Sequence, residues 1–282
     1  MADVVTSIIN LMKDLKLGLK LFSNQFEQYR DEAIRIVDEG YANYIELFVY
    51  PDSLETINDW KSLRKNYDIE FSIHSPHSSQ NVNLVLAENF DYNKKIYSQM
   101  DIFMDELEAD YMVVHSGRPL KNELMPKEPE KEVVRQLEKI KPKRMVIENT
   151  PYFSPKFPDI IGVGGTVEQI KYIKENLGCP FCFDIGHSFC SAVALNKDYY
   201  EYMDEFEKLE PYCYHFSDGE ISNKIDKHFH IEKGDYDWQR ILQSINPDKK
   251  ITLETITKNY SKSLFDEFVN DTKILRNYAK NI

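Results

Sequence analysis

Residues Tyr212 to Asp237 read YCYHFSDGEISNKIDKHFHIEKGDYD and hold three of the chain's seven histidines. Tyr212–Phe216 is short, aromatic and apolar, the pattern of a buried strand whose C-terminal end delivers His215. A long polar loop follows. In it Asp226 and His228 stand two residues apart, on one side of the chain if the segment is extended. A carboxylate and an imidazole so placed form a two-tooth clamp for a divalent metal. The plainer alternative is a polar surface loop, since short motifs recur by chance. Deciding between them needs the rest of the chain.

Working outward, the same unit of apolar strand, polar turn and amphipathic helix recurs. Leu17–Phe22 is a strand, with a helix through Tyr29–Glu39 that Gly40 ends. Tyr44–Tyr50 is the second strand, stopped by Pro51, with a helix through Leu54–Lys65. Ile69–His74 is the third, and a long helix covers Tyr92–Leu107. Tyr111–His115 is the fourth, ending at Gly117, and Met145–Glu148 is the core of the fifth. A Pro- and Gly-rich loop, Asn149–Gly165, leads to a helix over Val167–Asn176. Phe181–Ile185 is the sixth strand, followed by a helix through Tyr199–Leu209, and Tyr212–Phe216 is the seventh. Trp238–Gln243 is helical, Ile251–Thr255 is the eighth strand, and Leu264–Tyr278 closes with a helix. A short amphipathic helix over residues 2–14 is expected to cap the structure.

Eight apolar strands alternating with helices predict a parallel sheet, and the count predicts a closed (β/α)8 TIM barrel. No linker or low-complexity stretch divides residues 1–282, so one domain is expected. An open doubly wound sheet would want a glycine-rich turn after the first strand, and Leu21-Phe22-Ser23-Asn24 has none.

Composition narrows the function classes. With 35 basic and 47 acidic residues the formal net charge is −12, which weighs against a broad basic surface for nucleic acid. A local basic groove is compatible with it, and bound cations would offset an acidic pocket. The hydrophobic fraction of 42% and aromatic fraction of 13% suffice for a large core. No apolar run approaches the ~20 residues that span a bilayer, and the N-terminus lacks a basic region with a small-residue cleavage site. A cytoplasmic protein is expected. Cys179 and Cys182 have zinc-ribbon spacing without a second such pair, so Cys179, Cys182, Cys190 and Cys213 read as reduced, buried thiols.

In a barrel of this kind, chemistry gathers at the C-terminal ends of the strands. Those ends present His74 with His77 just beyond, His115, Glu148, Asp184 with His187 a turn later, His215 with Asp226, His228 and His230, and Glu254. On this reading every histidine lies at or just after a strand end and none falls in a helix. Each alone has a bland reading, such as a hydrogen-bonded histidine or, for Asp184, a helix N-cap. Together, unpaired carboxylates and imidazoles converging on one mouth would repel or stay unsatisfied. Divalent cations resolve this, and imidazole with carboxylate and no thiolate suits zinc or manganese in a catalytic role.

The motifs His74-Ser-Pro, Val114-His115-Ser-Gly117, Val146-Ile-Glu148-Asn149-Thr150, Asp184-Ile-Gly-His187, His215-Phe-Ser-Asp218, Asp226-Lys-His228 and Leu253-Glu254-Thr255 follow one another, one per strand end. In that order the chain resembles the endonuclease IV and xylose isomerase-like barrel superfamily, from about Gly18 to Thr255. The resemblance implies up to three zinc or manganese ions. Glu148 would bridge two of them, His115 and a strand-three histidine would complete one site, and Asp184, His215 and Glu254 the second. His187, Asp226 and His228 would hold the third. For strand three, His74 ends the strand and is preferred, whereas His77 has the endonuclease spacing to Asn83-Leu84. The Tyr-Leu pair with which endonuclease IV pries DNA apart is absent, its place taken by His77-Ser78 or Gln80-Asn81.

Two activities follow from the resemblance. One is hydrolysis of a phosphodiester, with abasic-site DNA as the substrate; clustered divalent ions lower the pKa of water to ~7 and neutralise phosphate oxygens. The other is isomerisation or epimerisation of a small sugar or sugar phosphate. There one metal on Glu148, Asp184, His215 and Glu254 would chelate adjacent oxygens, Glu148 and Glu254 would move protons on opposite faces, and Glu46 would help bind hydroxyls. That second scheme leaves His115, His187, Asp226 and His228 without a task. Catalytic roles fall to Glu148 and Glu254 in either case.

Overall fold

A computed structural model describes residues 15–119, 127–154, 160–255 and 261–281. The expected N-terminal helix over 2–14 lies outside them. Eight strands run in chain order, β1 (Lys16–Phe22), β2 (Tyr44–Phe48), β3 (Glu70–His74), β4 (Met112–His115), β5 (Met145–Glu148), β6 (Phe181–Asp184), β7 (Cys213–Phe216) and β8 (Lys250–Leu253). Each pairs in parallel with its sequence neighbour, and β1 pairs with β8, so the sheet closes on itself. The expected (β/α)8 TIM barrel is therefore the architecture.

Around it lie α1 (Phe26–Asp38), α2 (Ile57–Tyr67), α3 (Phe90–Glu106), α4 (Pro129–Ile140), α5 (Val167–Leu177), α6 (Ile185–Leu195), α7 (Tyr199–Glu207), α8 (Trp238–Ser244) and α9 (Lys262–Ala279). Two of these correct the sequence reading. Helix α4 went unforeseen between the fourth and fifth strands, although Pro129 starts it and Val133, Val134 and Leu137 form its buried stripe. Helix α6 begins directly where β6 ends, with no loop between, and His187 lies in its first turn. The expectation that no histidine falls in a helix thus fails. Asp184 ends the strand and caps this helix at once, its Oδ1 accepting from the His187 backbone N–H at 2.6 Å.

The barrel interior is layered. At the bottom Tyr111, Val113, Val146, Cys182 and Cys213 form a small apolar cluster separate from the main core. All four cysteines are buried and none forms a disulfide. Above lies a hydroxyl layer, where the Tyr44 hydroxyl and Thr252 Oγ1 are 2.9 Å apart and Thr252 Oγ1 donates to Glu46 Oε2 at 2.9 Å. Buried ionisable groups fill the top: Lys20, Glu46, His74, Glu148, Asp184, His215 and Glu254. Among the described residues no helix is long and apolar enough to cross a membrane.

Away from this mouth, Glu207 on α7 gives a test of the packing. Burial pushes its carboxyl up to about 7, against the Tyr214 hydroxyl that donates to Oε1 at 2.8 Å, while Oε2 is buried without a hydrogen bond. The folded state therefore binds this proton more tightly than the unfolded chain, where glutamate titrates near ~4.3. Its contribution to stability is present below about pH 4 and is lost as pH rises toward 7. Glu207→Gln keeps an acceptor for Tyr214 and removes the titration. The variant is expected to match the wild type near pH 4 and to melt roughly 2–5 °C higher at pH 8; a difference independent of pH would contradict the assignment.

Candidate metal centre

Glu148 is the hub. Its Oε2 lies 2.6 Å from His115 Nε2 and 3.4 Å from His74 Nε2, and its Oε1 lies 3.1 Å from His215 Nδ1 and 3.6 Å from His187 Nδ1. The 2.6 Å contact is not a hydrogen bond, since His115 Nε2 and Glu148 Oε2 both lack an aligned partner. Asp184 Oδ2 and Asp226 Oδ2 are likewise buried without hydrogen bonds. Acceptors that approach one another without donating converge on a shared point, as ligands of a common cation do. Four groups have ligand atoms within 4.8 Å of one another: His74, His115 and Glu148; Glu148, Asp184 and His187; His187, Asp226 and His228; and Glu46, His74, His215 and Glu254.

The imidazoles are oriented for this. His74 Nδ1 donates to Ser75 O at 2.9 Å, His187 Nδ1 to Asn149 O at 2.8 Å, and His228 Nδ1 to Glu254 O at 3.1 Å. A backbone carbonyl on Nδ1 fixes the tautomer and turns the Nε2 lone pair inward, the usual support of a metal-ligating histidine. His77 is arranged otherwise. Its Nδ1 accepts from the Ser79 N–H at 3.2 Å, and its ring stacks on His115 with centroids 5.2 Å apart. It lines the cavity but joins none of the four groups.

The Asp226–His228 pair meets as expected, with Asp226 Oδ2 2.7 Å from His228 Nε2, but not through an extended segment. His228 is in the left-handed region at φ 50°, and its N–H reaches back to Asp226 Oδ1 at 3.4 Å. The loop thus makes a tight turn at the ligands, a local conformation of the kind held at functional sites. Gly186 permits this approach, because a Cβ there would stand 3.2 Å from Asp226 Oδ1 and 3.4 Å from Asp184 Oδ1. The polar loop of the sequence reading is therefore anchored. Asp218 accepts from the N–H groups of Gly219 and Glu232, both at 2.8 Å, and from Trp238 Nε1 at 3.0 Å. Asp271 on α9 holds His230 Nδ1 at 2.6 Å and Thr255 Oγ1 at 3.0 Å, which keeps His230 out of the ligand groups.

The convergence of carboxylates and imidazoles shifts their titration. Burial opposes ionisation of Glu148, yet the imidazoles of His115 and His215 hold its carboxyl well below the usual range. Burial lowers His187, but Asp184 and Asp226 bring it up to about 10, and Asp226 brings His228 up to about 9. Burial and the neighbouring Asp226 and Glu148 push Asp184 up to about 7, with His187 opposing. Divalent ions would displace these protons and take over their charge.

Two further buried residues stand within strands rather than at their ends, where the strand-end pattern does not mark them as ligands. Lys20 interrupts an apolar strand and ion-pairs with Glu254. Glu46, anticipated only as a hydroxyl-binding group, lies 3.1 Å from His215 Nε2. Their signal is a charged residue inside an otherwise apolar strand, on the same alternating face as Gly18 and Tyr44, where the Tyr44 ring lies against Gly18 inside the barrel.

Similarity to known proteins agrees with this architecture. No protein with a curated description matches by sequence. Among solved structures, a D-tagatose 3-epimerase-like protein is 18% identical with a TM-score of 0.68, covering 94% of this chain and 97% of its own. A Thermus thermophilus protein from crystals soaked in zinc chloride is 19% identical, TM-score 0.64, covering 92% of this chain and 98% of its own. A xylose isomerase domain protein from Planctomyces limnophilus is 11% identical, TM-score 0.65, covering 95% and 98%. At these identities the likeness is one of fold. The sequence family described as the xylose isomerase-like TIM barrel matches residues 34–276, nearly the whole barrel, and the chain belongs to that family.

Proposed function

We propose that the protein is a metal-dependent phosphodiester hydrolase of the endonuclease IV type, acting on abasic-site DNA. The observation that carries this reading is the group His187, Asp226 and His228, which stands beyond the ligands that a single-metal sugar mechanism uses and shares His187 with the group around Glu148. The mouth would hold up to three zinc or manganese ions on the four ligand groups. Such ions supply Lewis acidity for phosphate and lower the pKa of water. Glu148 links the ligand groups, Glu254 serves beside His215 at 2.8 Å, and the Nδ1 hydrogen bonds of His74, His187 and His228 keep their rings in place.

Charge supports an anionic substrate. Glu46, Glu148, Asp184, Asp226 and Glu254 bring five negative charges and Lys20 one positive. Three divalent ions would leave two positive charges in excess, which a phosphodiester with its single charge together with a hydroxide can balance and a neutral sugar cannot. A sugar-converting activity has one observation in its favour: Glu148 Oε1 and Glu254 Oε1 both reach His215 Nδ1, at 3.1 and 2.8 Å, so two carboxylates flank one imidazole.

The test is an oligonucleotide with one abasic site, incubated with zinc- or manganese-loaded protein beside a panel of ketoses and ketose phosphates. Cleavage 5′ to the lesion is expected, abolished by chelator and restored by either metal. With a chain this acidic and no Tyr-Leu pair after the strand-three histidine, few phosphates are gripped, so cleavage should be weak and should change only shallowly between about 50 and 200 mM salt. Conversion of a sugar without nicking would overturn the proposal.

A further inference from the structure

Lys20 is an unusual neighbour for a metal centre. It sits within β1, register partner of Glu46, with its side chain only 8% exposed. Its Nζ pairs with Glu254 Oε1, the same oxygen that lies 2.8 Å from His215 Nδ1 and 3.8 Å from His74 Nε2. A buried ammonium is costly unless it is paired, and here Glu254 is its partner. The other hub carboxylates, Glu148, Asp184 and Asp226, also face histidines, but among the described residues none of them has an ammonium paired on it. A histidine ring nitrogen can itself serve as a ligand, whereas an ammonium has only donors and no lone pair to offer a metal. The ligand groups are therefore unequal.

Resting on the reading that the mouth binds divalent ions, we propose that Lys20 is a resident cation for Glu254. The ion taken by Glu46, His74, His215 and Glu254 is in consequence the last to load and the first to leave. To bind there, an ion must win Glu254 Oε1 from the ammonium and then remain beside its charge. Among the described residues, the carboxylates of the groups around His187 carry no ammonium paired on them. Lys20 thereby sets an order of filling: the groups on Glu148 and Asp226 first, the Glu254 group last.

The experiment is a zinc titration of the full chain in buffers of graded free zinc, read as zinc per chain by elemental analysis, with circular dichroism to follow the fold. In the wild type, loading is expected in two steps, the last ion filling at free zinc at least about tenfold higher than the others. Lys20→Met and Lys20→Gln should shift that last step to at least about tenfold lower zinc and leave the earlier ions in place. Lys20→Arg, which keeps the charge, should leave the step near its wild-type position. A single loading step in the wild type would overturn the proposal, even were the neutral variants to misfold. So would neutral variants that fold but hold the last ion more weakly, since Lys20 would then be positioning Glu254 for the metal. No step uses a substrate, so ordered loading without DNA cleavage would contradict only the proposed function.

Discussion

Replacing Glu148 by glutamine is expected to reduce DNA cleavage by at least about 10³-fold and to release two of the bound ions while the barrel stays folded. The size of the effect follows from where its two oxygens lie. Oε2 serves His74 and His115, and Oε1 faces His215 and His187, so one carboxylate belongs to two ligand groups together. An amide offers one acceptor and one donor end. Whichever way it turns, an N–H faces a set of ligand nitrogens and consumes a lone pair meant for a cation. The imidazoles that hold the Glu148 carboxyl far below its usual range would also lose their counter-charge. The barrel itself should survive, because the substitution keeps the volume and the main core lies outside the mouth. Metal content and cleavage rate, with melting of the metal-free protein as control, check this. Full metal and full activity would remove Glu148 from the hub.

The second large effect is expected at the strand-seven loop. Asp226→Ala and His228→Ala should each lose one ion per chain, with metal affinity at that group falling at least about 10- to 100-fold. Both side chains serve the same group, with Asp226 Oδ2 2.7 Å from His228 Nε2 and 3.4 Å from His187 Nε2. The double variant should therefore be scarcely worse than either single one, as for groups that act as a unit. The loop should persist without them, since Asp218 and Asp271 hold it through hydrogen bonds that neither substitution touches. Zinc per chain and circular dichroism read both outcomes. If both variants keep every ion, the pair is a polar turn and the third group is wrong.

Much of the barrel was legible because each strand is a short apolar run ending at a turn signal, and parallel strands buried on both faces leave that mark. The ligands were legible for a related reason: a histidine or carboxylate closing an apolar run must stand at the barrel mouth. Elements without such a boundary were lost. From Phe181 to Leu195 the chain is apolar with few breaks, so β6 and α6 blur together and His187 looked like a loop residue. Helix α4 follows a stretch with no clear start signal before Pro129. The role of Lys20 is not legible, because a single lysine in an apolar strand says nothing of its partner, and Glu254 is 234 residues away. The choice between His74 and His77 turns on which backbone group meets Nδ1, a carbonyl for one and an N–H for the other, and three residues of sequence do not encode that.

The central claim is a multinuclear centre on Glu148, and counting metal tests it most directly. Protein purified without chelator, equilibrated with excess zinc and freed of unbound ion, should carry close to three zinc ions per chain by elemental analysis, with Glu148→Gln retaining about one. A wild-type value near one, unchanged in Asp226→Ala, would contradict the account and leave a single-metal barrel.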